Sequence, residues 1–289
     1  MGYLVGVTLL WAFSFSLIGV YLAGQVDSYF AVLLRISLAT LVFLPFLRPS
    51  LLRGRQRLAL MALGALQLGV MYIFFYQSFL LLSVPEVLLF TIFTPIYIAL
   101  LDDMLFGRFT PMYLVTALLA VIGAGVIRYD GIDSGFWLGF LVVQGANLCF
   151  ALGQVGYRRL AAELPASLPW HNVFGWFFIG ALMVAVPAFL LLGNSAALPT
   201  SAVQWSVLVW LGLAASGVGY FAWNRGATKV DAGTLAIMNN ALIPAGLVVN
   251  LLIWNREAEL GRLLLGALIM AGSLWLNHWW LQRRATSPA

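Results

Sequence analysis

Long apolar runs follow one another along almost the whole chain, parted only by short polar breaks. A helix crossing the hydrocarbon of a bilayer takes about 20 mostly apolar residues. The runs predict ten transmembrane helices, at about 2–22, 29–47, 58–82, 86–101, 111–128, 135–157, 170–192, 202–226, 232–253 and 262–281. An outer-membrane barrel would instead show segments of about ten residues alternating in polarity, and these runs are too long and continuous. The stretch Gly64 to Leu101 shows how polar positions sit inside the runs. Tyr72, Tyr76 and Gln77 interrupt an apolar segment, a tight break follows at Ser83-Val84-Pro85-Glu86, and a second segment carries Thr91 and Pro95. The design returns at Gly212 to Asn250, with Tyr220, Trp223 and Asn224, a break at Lys229-Val230-Asp231, then Asn239, Asn240 and Pro244.

The recurrence has a period. Gly64, Tyr72 and Tyr76 pair with Gly212, Tyr220 and Asn224 at an offset of 148. Thr91, Pro95 and Gly123 pair with Asn240, Pro244 and Gly272 at an offset of 149. Two five-span halves are expected, 1–130 and 131–289, divided at the polar link from Arg128 to Asp133. Because five is odd, the second half enters the membrane from the opposite side, so the repeats are inverted. Inverted repeats are typical of secondary transporters, which bind substrate where the halves meet and alternate access by rocking. A mid-helix proline frees the carbonyl four residues earlier: that of Thr91 for Pro95, and that of Asn240 for Pro244. Two such kinks at corresponding positions point to a broken-helix site or hinge.

Composition narrows the reading. The chain of 289 residues is 63% hydrophobic and 9% charged, against about 25% charged in ordinary globular domains. Lipid must be its main solvent, with no soluble domain. The single cysteine, Cys149, permits no intrachain disulfide, and His171 and His278 stand too far apart for a zinc site, so no metal or cofactor is expected. The start MGYLVGVTLLWAF lacks a basic n-region and reads as the first span. The net charge of +5 follows topology and does not indicate nucleic acid. With both termini cytoplasmic, 11 basic residues fall inside and 3 outside, as the positive-inside rule requires. The expected location is the inner membrane, multi-pass, with the lipid bilayer and a small-molecule substrate as partners and no protein partner.

The candidate substrate cavity comprises Trp11, Ser14, Tyr72, Tyr76, Gln77, Tyr97, Asn147, Tyr220, Trp223, Asn224, Asn239 and Asn240. Tyr72 and Tyr76 lead it, because they share a helical face and their hydroxyls need partners away from lipid. Asn147 belongs to a polar stripe with Gln144 and Gln154. Arg35, close to the outer end of its run, reads as a snorkelling anchor in preference to a substrate contact. Glu86 reads as a helix-start acid, with a coupling or gating carboxylate as the alternative. Asp102, Asp103 and Arg108 are expected in a cytoplasmic turn.

The segments LLWAFSFSLIG, LLRISLATLVFLP, YIFFYQSFLLLSVPEVLLFTIFTPIY from Tyr72, LCFALGQVGYRRL and the Pro244 stretch resemble the drug/metabolite transporter superfamily, EamA-type, over essentially the whole chain. Within it the chain looks most like the aromatic amino acid exporter branch. The resemblance implies export of small amphipathic metabolites, amino acids first, by alternating access. Aromatic faces can stack on apolar groups or hold an ammonium, and with no fixed charge evident at the midplane a zwitterion is favoured. Without a buried carboxylate in the pathway, facilitated transport is expected. Multidrug or organic-cation efflux and proton-coupled exchange are the alternatives. No catalytic constellation is present: Tyr129-Asp130 resembles half of an intramembrane aspartyl protease site, but the aspartates lie at membrane edges.

Overall fold

A computed structural model describes residues 1–82, 84–107, 109–128, 137–254 and 260–286, and these are helical without any strand. Helices α1 (Gly2–Tyr21) and α2 (Ser28–Phe43) come first, the latter capped where Asp27 accepts the Phe30 N–H at 2.7 Å. Helix α3 (Gly54–Gly64) continues through a π-helical stretch, Ala65–Val70, into α4 (Met71–Leu81). Helix α5 (Val84–Phe90) passes through a 3-10 turn, Thr91–Phe93, into α6 (Thr94–Phe106), which Gly107 ends in the left-handed conformation at φ +62°. Helices α7 (Pro111–Arg128), α8 (Trp137–Ala162) and α9 (Gly175–Leu192) follow. Helix α10 (Ala202–Trp210) runs through a second π-helical stretch, Leu211–Val218, into α11 (Gly219–Ala227). Last come α12 (Ala232–Asn240), α13 (Leu242–Trp254) and α14 (Leu260–Thr286).

Among the described residues, eight helical segments are long and apolar enough to cross a membrane, fewer than the ten expected. Helix α7, of 18 residues, is not counted among them, although its stretch Pro111–Ile122 is apolar. The run at 232–254 is divided at Ala241 into helices of 9 and 13 residues, each too short alone. Ser83, Arg108, Arg256 and the link after Arg128 lie outside the described residues.

The prolines are not kinks inside continuous α-helices. Pro95 stands in the first turn of α6, after the 3-10 turn, and Pro244 in the first turn of α13. A first turn tolerates proline because its N–H has no intrahelical acceptor there. Asp102 and Asp103 are not in an open turn either. They close α6 and are buried.

Small residues set the helix crossings. A Cβ on Gly64 would lie 1.8 Å from the Phe177 carbonyl oxygen, and one on Gly180 would lie 1.8 Å from that of Met61, so α3 and α9 touch backbone to backbone. The second π-helical stretch lies against α2, where a Cβ on Gly212 would meet Leu38 at 2.7 Å. Large apolar side chains such as Leu190, Leu191 and Leu252 point outward. Such exposure makes a water-soluble surface untenable and suits lipid.

Candidate functional site

A cavity opens where α1, α2, α4, α6, α8, α11 and α12 converge. It holds about 760 Å³ of atom-free space, part of it open to the outside. Of the expected residues, Trp11, Ser14, Tyr72, Asn147, Tyr220, Trp223 and Asn239 line it. The Trp11 ring lies 5.0 Å from Trp223, 5.1 Å from Tyr220 and 5.9 Å from Phe150, and its indole N–H donates to the Ala215 carbonyl at 2.8 Å. That acceptor sits in the second π-helical stretch. Misaligned carbonyls in π turns are open to such partners, and π turns recur at functional sites.

The other expected residues are engaged elsewhere. Gln77 donates to the Ser28 hydroxyl at 2.8 Å and Tyr97 to the Gln144 carbonyl oxygen at 3.1 Å. The Asn224 amide donates to the Tyr220 carbonyl at 3.1 Å. Glu86 stands in the first turn of α5 and is not part of the cavity wall. These polar ends serve packing because a buried donor left without an acceptor costs about 1–3 kcal/mol.

The break between α5 and α6 explains most of the remaining amides. The Phe90 carbonyl accepts from Asn147 at 2.8 Å and from Gln144 at 3.1 Å. The Thr91 carbonyl accepts from the Thr94 hydroxyl at 2.7 Å, and the Ile92 carbonyl from Asn240 at 3.0 Å. Three successive carbonyls at an interrupted helix are thus satisfied by side chains, as a low-dielectric surrounding demands. Asn240 does not face the cavity but joins α12 to this break. Asn239 and Gln154 exchange hydrogen bonds at 3.2 Å, and Gln154 also accepts the Trp223 indole N–H at 2.9 Å.

Arg35 is the residue that sequence reasoning misassigned. It lies at the middle of α2, is 2% exposed, and lines the cavity. Its Nη2 donates to the Tyr72 hydroxyl at 2.6 Å, its Nη1 to Tyr76 at 2.9 Å and its Nε to Ser216 at 3.1 Å. The Tyr72 and Ser216 hydroxyls are bonded to each other at 2.9 Å, and the guanidinium carbon sits 4.3 Å from the Tyr72 ring centre. Tyr76, expected on the cavity wall, meets Arg35 instead. Among the described residues no carboxylate lies within ion-pair range of it. A snorkelling arginine would reach water; this one is held inward by three hydroxyls from α4 and the second π-helical stretch. A charge at such depth costs about 2.5–3.5 kcal/mol on insertion scales. Phe150, Phe75, Thr8, Thr91 and Thr94 also line the wall and were not expected there. Among the described residues, no three metal-ligating side chains gather.

At the end of α6, Asp102 pairs with Arg158 of α8 at 2.5 Å, and Arg158 also donates to the Val230 carbonyl at 3.1 Å. Asp103 accepts the Thr110 N–H at 2.7 Å. The break before α12 is thereby tied to α6 and α8.

The family model of the EamA-like transporter family matches residues 1–129. A Pseudomonas aeruginosa protein named "Probable biotin transporter" is 57% identical over 96% of this chain and 97% of its own length. The chain belongs to the EamA-like transporter family. The Salmonella typhimurium and Escherichia coli K12 proteins named "Biotin transporter" are each 52% identical over 100% of this chain and 96% of theirs. One crystal structure superposes with a TM-score of 0.76 at 19% identity over 95% of both chains, a likeness of fold. This EamA-like protein is a multi-pass inner-membrane transporter and not an enzyme. The aromatic amino acid exporter branch is not where these relatives lie: they are named for biotin. Aromatic cavity walls misled the finer resemblance, since stacking surfaces suit many amphipathic solutes.

Proposed function

We propose that this transporter carries biotin across the inner membrane by alternating access, as a facilitative carrier. The observation that carries the reading is identity above one half, along the whole chain, to proteins named biotin transporter. The cavity suits the solute. Biotin has a compact fused ring bearing a urea and an aliphatic tail ending in a carboxylate. Trp11, Phe150, Tyr220 and Trp223 offer faces for the ring, and Asn147 and Asn239 stand where amides can meet a urea. Organic-cation efflux is disfavoured by Arg35, a like charge on the wall.

Ten spans in two inverted repeats support alternating access. In this reading α7 and the α12–α13 pair complete the eight evident spans. The π-helical stretch at 65–70, shifted by 148, falls on 213–218, within Leu211–Val218. The 3-10 turn at 91–93, shifted by 149, falls on 240–242, where α12 and α13 part. Helix α2 lies against the second π-helical stretch as α9 lies against the first, and 28–43 shifted by 148 gives 176–191, within α9. Paired interruptions near the repeat interface are the usual pointer to a transporter's site.

Counterflow in proteoliposomes loaded with unlabelled biotin tests the function. Saturable entry of labelled biotin that ignores a pH gradient is expected. Exchange of labelled phenylalanine without biotin exchange would return the amino acid reading. Gradient-driven biotin flux abolished by Glu86→Gln would establish proton coupling.

A further inference from the structure

We infer that Arg35 is the anchor for a substrate carboxylate and that the cavity selects monocarboxylates over their neutral derivatives. The inference rests on the biotin reading for its preferred substrate, but the geometry stands apart from it. A guanidinium offers about five N–H donors. Three hydrogen bonds go to the hydroxyls of Tyr72, Tyr76 and Ser216, leaving one donor on each terminal nitrogen. Hydroxyls accept hydrogen bonds but do not cancel charge. Buried charges are ordinarily paired, and none of the described residues supplies an anion here. The cavity borders this cation directly, so a bound solute can bring the missing negative charge.

A carboxylate fits the two remaining donors as a bidentate pair, the strongest neutralising geometry open to arginine. The surrounding shell keeps the fork aimed. Tyr72 holds Nη2 and lies beneath the guanidinium, Tyr76 holds Nη1, and Ser216 fixes Nε. The aromatic wall of Trp11, Phe150, Tyr220 and Trp223 leaves an apolar space for the body of the solute. Ser14, also on the wall, has a buried hydroxyl without a hydrogen-bond partner among the described residues, a second polar contact for the same ligand. The specified class is therefore a monoanion with one free carboxylate and an uncharged, partly apolar body. Dianions exceed the single positive charge of the wall, and amides or esters leave the guanidinium unneutralised.

The test is competition against labelled biotin in counterflow, using the full chain in proteoliposomes and comparing unlabelled biotin with biotinamide. Charge-assisted hydrogen bonds are worth a factor of about 10 to 150 in affinity, so biotinamide should compete weaker by that factor. Arg35→Gln should raise the apparent KM for biotin and erase the preference, so that the two compete alike. A merely structural arginine would lower activity without changing the ratio. Equal competition on the unsubstituted protein overturns the inference, and so does a preference surviving in Arg35→Gln. If that variant does not fold, the two ligands on the unsubstituted protein decide alone. If the unsubstituted protein exchanges no biotin, the biotin reading falls. The inference is then read from thermal unfolding in detergent with octanoate against octanamide, where protection by octanoate alone supports it and equal or no protection overturns it.

Discussion

The crossing of α3 and α9 makes the sharpest structural prediction. Gly64 and Gly180 each face the other helix's backbone, and a Cβ on either would stand 1.8 Å from a carbonyl oxygen. Ordinary contact begins at 3.4 Å, so Gly64→Ala forces the two backbones apart by 3.4 − 1.8 = 1.6 Å. No side chain can rotate to absorb this, because the Phe177 carbonyl carbon and Cα lie at 2.5 and 2.9 Å from the same point. Overpacking costs about 1–3 kcal/mol where side chains can yield, and a gap of about 0.5–1 Å forfeits a quarter to a half of each dispersion contact. We expect a loss of about 3 kcal/mol or more, against a gain of about 0.5–1 kcal/mol in helix propensity from replacing glycine. Gly6→Ala is the control, since nothing lies within 4 Å of its added Cβ. Thermal unfolding of purified protein in detergent, followed by tryptophan fluorescence, should show Gly64→Ala and Gly180→Ala strongly destabilised and Gly6→Ala unchanged or slightly stabilised. The double variant should lose less than the sum, because one separation relieves both clashes. A Gly64→Ala protein that melts with the parent would refute the backbone contact.

Two further outcomes follow. Asp102→Asn leaves Arg158 with neutral acceptors only, the amide oxygen and the Val230 carbonyl, and no counter-charge; breaking a buried pair costs about 3–5 kcal/mol, lowered to about 2–3 because the Arg158 side chain is 13% exposed, and an unchanged melting curve would show the pair to be idle. With the membrane potential clamped by potassium and valinomycin, biotin exchange should be insensitive to voltage while net biotin flux responds to it, and equal sensitivity of both would contradict a single uncompensated charge at Arg35.

The helical plan was readable because apolar length and proline position are local signals. Even the breaks showed, as Pro95 and Pro244, although the structure makes them helix starts. The site was readable only in part. Trp11, Tyr72, Tyr220 and Trp223 announced themselves as aromatic or phenolic groups inside apolar runs. Gln77, Asn224 and Asn240 announced themselves equally well, yet they satisfy a hydroxyl and two carbonyls. No sequence spacing separates an amide that meets a ligand from one that meets a broken helix. Arg35 was missed because two of its three partners come from α4 and the third, Ser216, lies 181 positions away. Its sign was its place inside an apolar run, where only tertiary partners distinguish snorkelling from capture.

The charge on Arg35 also shapes the energetics. Among the described residues the cavity wall carries one positive group and no negative one, so a carboxylate bound there makes the loaded site neutral, and the empty site keeps its charge. The loaded carrier then reorients without feeling the membrane potential, and voltage acts on the return of the empty one. On the proposed reading, one negative charge crosses with each biotin over a full cycle, at about 2.3 kcal/mol per 100 mV. Such a carrier without ion coupling leaves free biotin lower on the negative side by roughly fifty-fold at that potential. Inward accumulation would therefore depend on the cell consuming the carboxylate, the group that the proposal places on Arg35. A neutral zwitterion would face no such opposition, and it would also leave the cation on α2 half answered. Binding geometry favours a monoanion held by its carboxylate, and the membrane potential that opposes its entry makes net inward movement depend on a reaction that removes that charge.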